Sequence, residues 1–554
     1  MPCLPTVEGC AFDLSCLRLH RFSRGKTTKL LALLAAVIPI AAPAAVTNYI
    51  WDGNAPFGTG SSRWSRSLNW SATNTAPPAN NVRGLTNSDI TFRGVLKLAP
   101  SMDNAYFIRS LTFDPTAGAF TLSSRGSQVL TIGAGGILNQ SASTQTILSS
   151  LSLSNAQTWN AAAGNLVMGG GVNLGANVLT VAGTANISLA DLVQGSAQII
   201  KLGSGNLTFG GITANTYSGG TTLDGGTITL AKANALGSGS LTVNSGTLDL
   251  GSFNKTVGVF SMTGGTVVGT TGTLTASGYQ IQSGTIKARL GGNGLFVKSG
   301  PGTTTVSTAN LFSGGTIING GTLAINNLTG SGAGSGNVTI NSGGTLIGTG
   351  IISGMVTNRL GGTISAGANI GQFNSGSQFW LGGSTNRWEI NDANSTAGVG
   401  WDLLNISGTL NILATASNKL TFSVVSFTLG GAPGAAADFD PSQSYLWKVV
   451  QTSGGITFAP GEDADSAFNL MVGQFANPID GGVFDLTTAN GGRDLNLTYT
   501  PVMLVPEPHA FAFITLAACG YIYGRRFKRH WGSNGRRSVI VTPAQPSSTA
   551  TAAA

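Results

Sequence analysis

The sequence predicts an all-β protein that folds as a parallel β-helix, or β-solenoid, with turns of about 19–20 residues. Glycine makes up 81 of the 554 residues, and charged side chains make up only 9%, against usual shares of ~7% and ~25%. Short stretches alternate between aliphatic residues and threonine, as β-strands do. Glycine keeps no three-residue period, which argues against a collagen, and the low charge argues against a charge-driven disordered chain.

A glycine–threonine pair marks the repeat. It returns in steps of 20, 19, 19, 18, 19, 23 and 18 residues, and its glycines are Gly226, Gly246, Gly265, Gly284, Gly302, Gly321, Gly344 and Gly362. Alternating stretches between the pairs predict short strands that meet at glycine corners. Stacked turns give each strand a hydrogen-bonding neighbour on both sides. The regular aliphatic positions argue against a flexible linker. A β-sandwich is the stronger alternative, and the constant spacing favours the solenoid over it.

The chain divides into six predicted regions. They are a signal peptide at 1–44, an N-terminal β cap region at 45–120, the β-solenoid at 121–375, a C-terminal all-β region or wider solenoid end at 376–500, a transmembrane helix with a basic cluster at 501–530, and a disordered tail at 531–554.

The cap region is expected because an open first turn exposes an unpaired strand edge. Its tryptophans Trp51, Trp64 and Trp70 are predicted to pack inside this cap. A platform on which sugars stack is the alternative for the same three side chains.

The N-terminal region has the order of a secretory signal peptide. The basic stretch 18–29 precedes the apolar run 30–40, and Ala42 and Ala44 frame the predicted cleavage site. The run is short for a membrane span, which needs ~20 residues. We therefore expect export by the Sec machinery. Because the basic stretch begins far from Met1, the true start is expected further along the chain.

A second signal is predicted near the C-terminus. An apolar stretch at 510–524 lies between a short acidic–proline motif and a basic cluster, formed by Pro506, Glu507, Pro508 and by Arg525, Arg526, Lys528 and Arg529. Basic residues after an apolar helix stay on the cytoplasmic side of the inner membrane. This arrangement resembles the PEP-CTERM sorting signal. The resemblance implies recognition by an exosortase-type membrane protease and a link to exopolysaccharide or other surface glycans. The tail after residue 530 departs from that pattern, which usually ends soon after the basic cluster.

Two segments in the repeat region are near copies of each other. Asn215–Leu230 contains Ser-Gly-Gly-Thr and Gly-Gly-Thr-Ile, and Asn310–Thr316 followed by Gly320–Leu323 repeats this order 95 residues later. These segments resemble the autotransporter-associated β-strand repeat. The resemblance implies an exported passenger-like solenoid.

The distribution of charge and reactive side chains excludes several functions. The net charge of +8 lies at the two ends, since residues 45–505 hold 18 basic and 18 acidic side chains. No basic stripe for nucleic acid is therefore expected. Every cysteine and histidine lies outside 45–505, so this region cannot build a Ser-His-Asp or Cys-His centre, a His/Cys zinc site or a disulfide.

Acidic side chains are the remaining candidates for a catalytic or calcium site, because sugar hydrolysis usually needs two neighbouring carboxylates. The groupings are Asp438 with Asp440; Glu462 with Asp463 and Asp465; and Glu389 with Asp392 and Asp402. Their spacing matches no known calcium loop. We therefore predict no catalytic, cofactor or metal residues. The sequence favours a non-enzymatic structural or adhesive protein at the cell envelope or in the extracellular matrix. A polysaccharide lyase or glycosidase and a glycan-binding surface protein are the alternatives.

Overall fold

The computed structural model describes residues 46–54, 62–71 and 87–502. They form an all-β parallel solenoid of about 14 turns, which confirms the predicted fold class. Helix is nearly absent from these residues: one 3₁₀ turn spans Ser67–Asn69 and one α-helical turn spans Ala464–Ala467.

The described strands form three sheets that run along the rod. The first sheet contains 23 strands: Thr47–Trp51, Trp70–Ser71, Ser88–Phe92, Tyr106–Phe113, Val129–Asn139, Ser150–Leu153, Gln157–Ala161, Val172–Asn173, Leu179–Gly183, Val193–Gln194, Ile199–Lys201, Thr221–Leu223, Leu241–Val243, Lys255–Met262, Thr273–Ile281, Arg289–Gly291, Leu295–Lys298, Thr316–Ile318, Val338–Ile340, Val356–Asn358, Gln378–Trp380, Thr409–Ile412 and Gly455–Phe458.

The second and third sheets are assembled in the same way from short strands. The second contains Ser101–Met102, Thr121–Ser124, Gln145–Ile147, Leu166–Met168, Ile187–Leu189, Asn206–Phe209, Thr227–Leu230, Thr247–Asp249, Thr266–Val268, Gly284–Ile286, Thr303–Val306, Gly321–Ile325, Gly344–Ile347, Thr363–Ser365, Thr385–Ile390, Leu420–Ser426 and Phe468–Gln474. The third contains Ile351–Ile352, Gln372–Ser375, Leu403–Ile406, Tyr445–Thr452, Val483–Ala489 and Asp494–Thr500.

Most strands are three or four residues long and pair in parallel with the turns before and after them. Leu241 pairs with Thr221 of the preceding turn and with Phe260 of the following turn. The two end residues of Leu241–Val243 are buried and the middle threonine is half-exposed, because successive side chains point to opposite faces of a strand. Inward aliphatic side chains therefore form one continuous core along the rod.

Several turns have a third side between the two long sheets. The first half of Val129–Asn139 pairs with Ser150–Leu153, and this row continues through Val172–Asn173 and Val193–Gln194. Near the end of the rod the third sheet takes this place, and its last pairing, between Val483–Ala489 and Asp494–Thr500, is antiparallel.

The first and second sheets run without a break across the predicted boundaries near residues 120 and 376. Gln378–Trp380 and Thr409–Ile412 extend the first sheet, and Leu420–Ser426 extends the second. This continuity agrees with the wider solenoid end that the sequence offered as one interpretation of 376–500. The region boundaries themselves stay predictions.

Glycine corners let successive turns approach each other closely. Gly246 has a φ of +77°, and a Cβ atom there would overlap the carbonyl oxygen of Gly226 in the turn before it. Gly278 differs, because its φ is not in the left-handed region and a Cβ atom there would meet nothing within 4 Å. The fold therefore requires glycine at position 246, whereas position 278 accepts a side chain.

We expect Gly246→Ala to destabilise the solenoid by about 1–3 kcal/mol, because a left-handed residue with a side chain is strained and the next turn cannot move away. Gly278→Ala is the matched control and is expected to be neutral or stabilising by up to about 1 kcal/mol. Thermal unfolding followed by circular dichroism checks both variants. Equal unfolding midpoints for the two variants would contradict the role given to the corner.

Candidate functional site

The two copies of the repeated segment form equivalent sites on the third side of the solenoid. Asn215 is buried, its Oδ1 accepts a hydrogen bond from Val193 N at 2.9 Å, and its Nδ2 donates to Ala235 O. Val193 lies in the preceding turn and Ala235 in the following turn. One asparagine side chain thus ties three successive turns together.

The second copy repeats this bridge. Asn310 is buried, its Oδ1 accepts from Leu290 N at 2.8 Å, and its Nδ2 donates to Gly332 O at 2.6 Å. Both asparagines open the repeated segments in the sequence, but the pattern alone indicates no role for them. In the structure their side chains satisfy backbone groups of adjacent turns where their own segment forms no regular strand.

An aromatic side chain follows each asparagine into the core. Tyr217 is fully buried, stacks on Phe209 with ring centroids 6.4 Å apart, and its hydroxyl lies 2.7 Å from Thr221 Oγ1. Burial raises the pKa of Tyr217 to about 12. In the second copy Phe312 stacks on Phe296 with centroids 5.7 Å apart. Since phenylalanine has no hydroxyl group, this position requires an aromatic ring rather than a hydrogen bond.

Each copy also contains a buried lysine that the sequence analysis missed. Lys201 is 2% exposed, and its Nζ donates to the carbonyl oxygens of Leu202, Gly203 and Gly225 at 2.7, 2.9 and 3.3 Å. The ammonium group therefore lies among backbone oxygens of two turns. Burial lowers its pKa to about 8.

Lys298 occupies the equivalent position in the second copy. It is 0% exposed and its Nζ donates to the carbonyl oxygens of Ser299, Gly300 and Gly320 at 2.9, 3.1 and 2.9 Å. Burial lowers its pKa as well. The alternation of Ile199, Ile200 and Lys201 contained the signal, because strand periodicity places the lysine on the inward face. A charged residue at an inward position indicates polar partners inside the corner. We call each buried lysine with its three carbonyl oxygens a lysine cradle.

The structure brings two of the acidic candidates together in a closed environment. Asp402 is 2% exposed and Glu389 is 0% exposed. Asp402 Oδ1 accepts from Gly371 N at 2.9 Å, and Oδ2 accepts from Glu389 N at 3.2 Å. The Glu389 carboxylate forms an ion pair with Arg387. Burial raises the pKa of Asp402 well above its usual value. Because both carboxylates are buried in the core, a polymer bound at the surface could not contact them.

The remaining acidic candidates lie apart in loops. Asp392 Oδ1 accepts from Asn394 N at 3.0 Å, and Glu462 Oε2 accepts from Ala416 N at 3.1 Å. Two exposed carboxylates accept hydrogen bonds within their own turns. Asp440 accepts from Ser442 N, and Asp463 caps the helical turn Ala464–Ala467. These hydrogen bonds lower the pKa of both carboxyl groups. Asp438 and Asp465 are also exposed. No group of three or more His, Cys, Asp or Glu suited to a metal ion occurs among the residues described.

The three N-terminal tryptophans pack against one another inside the first turns. Trp51 and Trp64 are 0% exposed and Trp70 is 1% exposed. The rings of Trp51 and Trp70 meet edge to face at 5.1 Å, and Trp70 Nε1 donates to Trp64 O at 2.8 Å. The alternative of a sugar-stacking platform is wrong for these residues, because neighbouring rings cover their faces.

The predicted transport signals lie outside the described residues. This applies to the cleavage site at Ala42 and Ala44, to Pro506, Glu507 and Pro508, and to the basic cluster Arg525, Arg526, Lys528 and Arg529. Within the described ranges, no helix is long and apolar enough to cross a membrane.

Comparison with known proteins supports the passenger-like interpretation of the repeat. A family model described as Passenger-associated-transport-repeat matches residues 199–230 and 296–325. Each match begins two residues before the buried lysine and ends with a strand of the second sheet. The match therefore covers the lysine cradle, the bridging asparagine and the corner glycines of each copy. A search of the curated proteins found no match.

The lysine cradle gives a pH-dependent prediction. The pKa of Lys201 is about 8 in the folded chain and ~10.4 for a free lysine. Between these values the unfolded chain binds more protons, so the free energy of unfolding contains a contribution that rises with pH. We expect Lys201→Met to reduce this rise and to lower stability at pH 7 by about 1–3 kcal/mol, because buried carbonyls lose their donor.

Chemical denaturation from pH 7 to 10.5 measures this effect. Lys287→Met is the matched control, since Lys287 is exposed, and it should leave the pH dependence unchanged. An identical pH dependence in the wild type and the Lys201 variant would contradict the prediction.

Proposed function

We propose that the protein is an exported β-solenoid with a structural or adhesive role at the cell envelope or in the extracellular matrix. The family match to a passenger-associated repeat on a parallel solenoid is the observation that carries this proposal. Passenger repeats belong to proteins displayed outside the cell. A rod of stacked turns provides length and a regular surface without needing a reactive centre.

The surface of the rod suits such a role. Six threonines stand in register on six successive strands of the second sheet, namely Thr303, Thr322, Thr345, Thr363, Thr385 and Thr421. Ladders of this kind solvate the surface without adding charge. Residues 45–505 carry equal numbers of acidic and basic side chains, so the rod has no net charge with which to attract nucleic acid.

The sorting route is the second part of the proposal. An exosortase-type protease would recognise Pro506–Pro508, while residues 510–524 and the basic cluster hold the chain at the inner membrane. The order of these elements in the sequence supports this route. Sec export of the same chain would follow from the signal peptide at 1–44.

We expect deletion of residues 506–530 to abolish envelope association and to release the solenoid or leave it in the periplasmic fraction. Fractionation of cells and immunoblotting measure the distribution. Deletion of 531–554 is the matched control and should leave envelope association intact. Envelope association that survives loss of 506–530 would defeat the sorting proposal.

A non-enzymatic role completes the proposal. It is supported by the burial of Glu389 and Asp402, which makes them unsuited to contact a polysaccharide. We expect incubation with acidic and neutral polysaccharides, with and without Ca²⁺, to release no reducing ends or unsaturated products. Asp402→Asn should lower stability by about 1–3 kcal/mol, because the carboxylate serves several buried donors, and the exposed Asp438→Asn control should not.

Polysaccharide turnover by the wild type that disappears in Glu389→Gln or Asp402→Asn would reverse this conclusion and favour the lyase or glycosidase alternative. Thermal unfolding of the same variants separates loss of activity from loss of fold.

A further inference from the structure

A groove of about 660 Å³ lies on the third side of the solenoid, across the turns between residues 129 and 213. Its floor is built from the first half of Val129–Asn139 and the strands Ser150–Leu153, Val172–Asn173 and Val193–Gln194. Because these strands pair in parallel and in register, the side chains that line the groove form straight rows along the rod axis.

One row is made of four polar side chains. Thr131 pairs with Ser152, Ser152 with Asn173, and Asn173 with Gln194. Neighbouring strands lie ~4.8 Å apart, so hydrogen-bonding groups recur at that spacing across four turns. Asn173 and Gln194 are exposed, and the other two are half-exposed.

The hydrogen-bonding capacity of this row is largely unused within the described structure. The side chains of Thr131, Ser152 and Gln194 make no hydrogen bond to the protein, and Asn173 uses only its Oδ1, which accepts from Gly175 N at 3.0 Å. Other outward polar side chains pair along the rod: Asn244 donates to Asp224 at 2.7 Å and accepts from Thr263 at 2.8 Å. The groove thus presents donors and acceptors that the rod leaves available.

A glycine keeps the groove open beside this row. Gly171 stands between Ser150 and Leu192 in the adjacent row. Its φ lies outside the left-handed region, and a Cβ atom would make ordinary contacts, 3.6 Å to Leu192 O and 4.0 Å to Asp191 Oδ2. The backbone therefore does not require glycine here. The missing side chain leaves room in the groove.

The charge of the lining indicates the class of ligand. Asp191 is the one ionisable side chain among the described residues that line the groove. Behind the lining, the buried Lys232 Nζ donates to Asp191 O at 3.2 Å and to Thr213 O at 2.6 Å, which offsets the charge of Asp191. A groove with so little net charge does not attract an anionic polymer. Apolar side chains such as Val129 and Leu192 offer contacts for the C–H faces of a sugar ring, beside polar groups that bind hydroxyls.

We propose that this groove binds a neutral linear oligosaccharide whose chain runs along the solenoid axis. A linear glycan presents hydroxyl groups along its length, and the row from Thr131 to Gln194 presents donors and acceptors on each of four successive turns. This proposal rests on the proposed adhesive role at the cell surface and specifies the class of ligand that the solenoid would bind there.

Isothermal titration of the purified full chain tests the proposal. The probes are hexasaccharides of β-1,4-linked glucose, N-acetylglucosamine and mannose, with oligogalacturonate as the acidic counterpart. At least one neutral hexasaccharide is expected to bind, and more tightly than oligogalacturonate. Gly171→Tyr should weaken that binding at least about tenfold, which corresponds to ~1.4 kcal/mol, because its ring fills the groove.

Gly278→Tyr is the matched control, because Gly278 has open space around it, and it should bind like the wild type. The double variant Asn173→Ala/Gln194→Ala keeps the groove open and should also lose affinity. The proposal is overturned if none of the neutral hexasaccharides binds, if oligogalacturonate binds more tightly, or if Gly171→Tyr binds like the wild type while its unfolding midpoint is unchanged. Cell fractionation tests the surface role independently, so the two proposals fail separately.

Discussion

The structure depends on hydrogen bonding between successive turns rather than within them. Each short strand finds its backbone partners in the turn before and the turn after, as Leu241 does. The residue type at each position is therefore restricted, because its side chain packs at ~4.8 Å against the side chains at the equivalent positions of the adjacent turns. Aliphatic side chains, corner glycines and threonine rows all follow from this constraint. At the inward polar positions Lys201 and Asn215, the hydrogen bonds are completed inside the rod.

The sequence was informative where the cause of the structure is local. A left-handed corner needs glycine, and an inward strand position needs an aliphatic side chain, so the spacing of Gly226, Gly246 and their successors predicted the turns. The third side could not be predicted in the same way, because some of its turns have no regular strand there and are joined by a side chain, as at Asn215. Lys201 was missed because a lysine normally indicates the surface, and only strand phase reveals that it points inward. The sequence grouped Glu389, Asp392 and Asp402 by proximity, but the structure brings only Glu389 and Asp402 together and buries both, and this burial cannot be read from their spacing.

The outward polar side chains of the rod differ in how their hydrogen bonds are satisfied. Much of its outward polarity is satisfied by side chains of adjacent turns, as in the row of Asp224, Asn244 and Thr263. The row from Thr131 to Gln194 differs because its polar groups have few internal partners and lie in a concavity. In the proposed binding role, this row would contact the ligand, while the neighbouring turns supply length.

The lysine cradles have a consequence for the conditions in which the rod can exist. Each one places a positive charge that is covalently part of the chain where backbone oxygens of two turns converge, at Lys201 and again at Lys298. Many oxygen-lined corners of this kind in proteins are occupied by a dissolved metal ion. Here the ammonium group is part of the chain and cannot be diluted away or removed by a chelator, so these corners stay occupied at any concentration of dissolved metal ions.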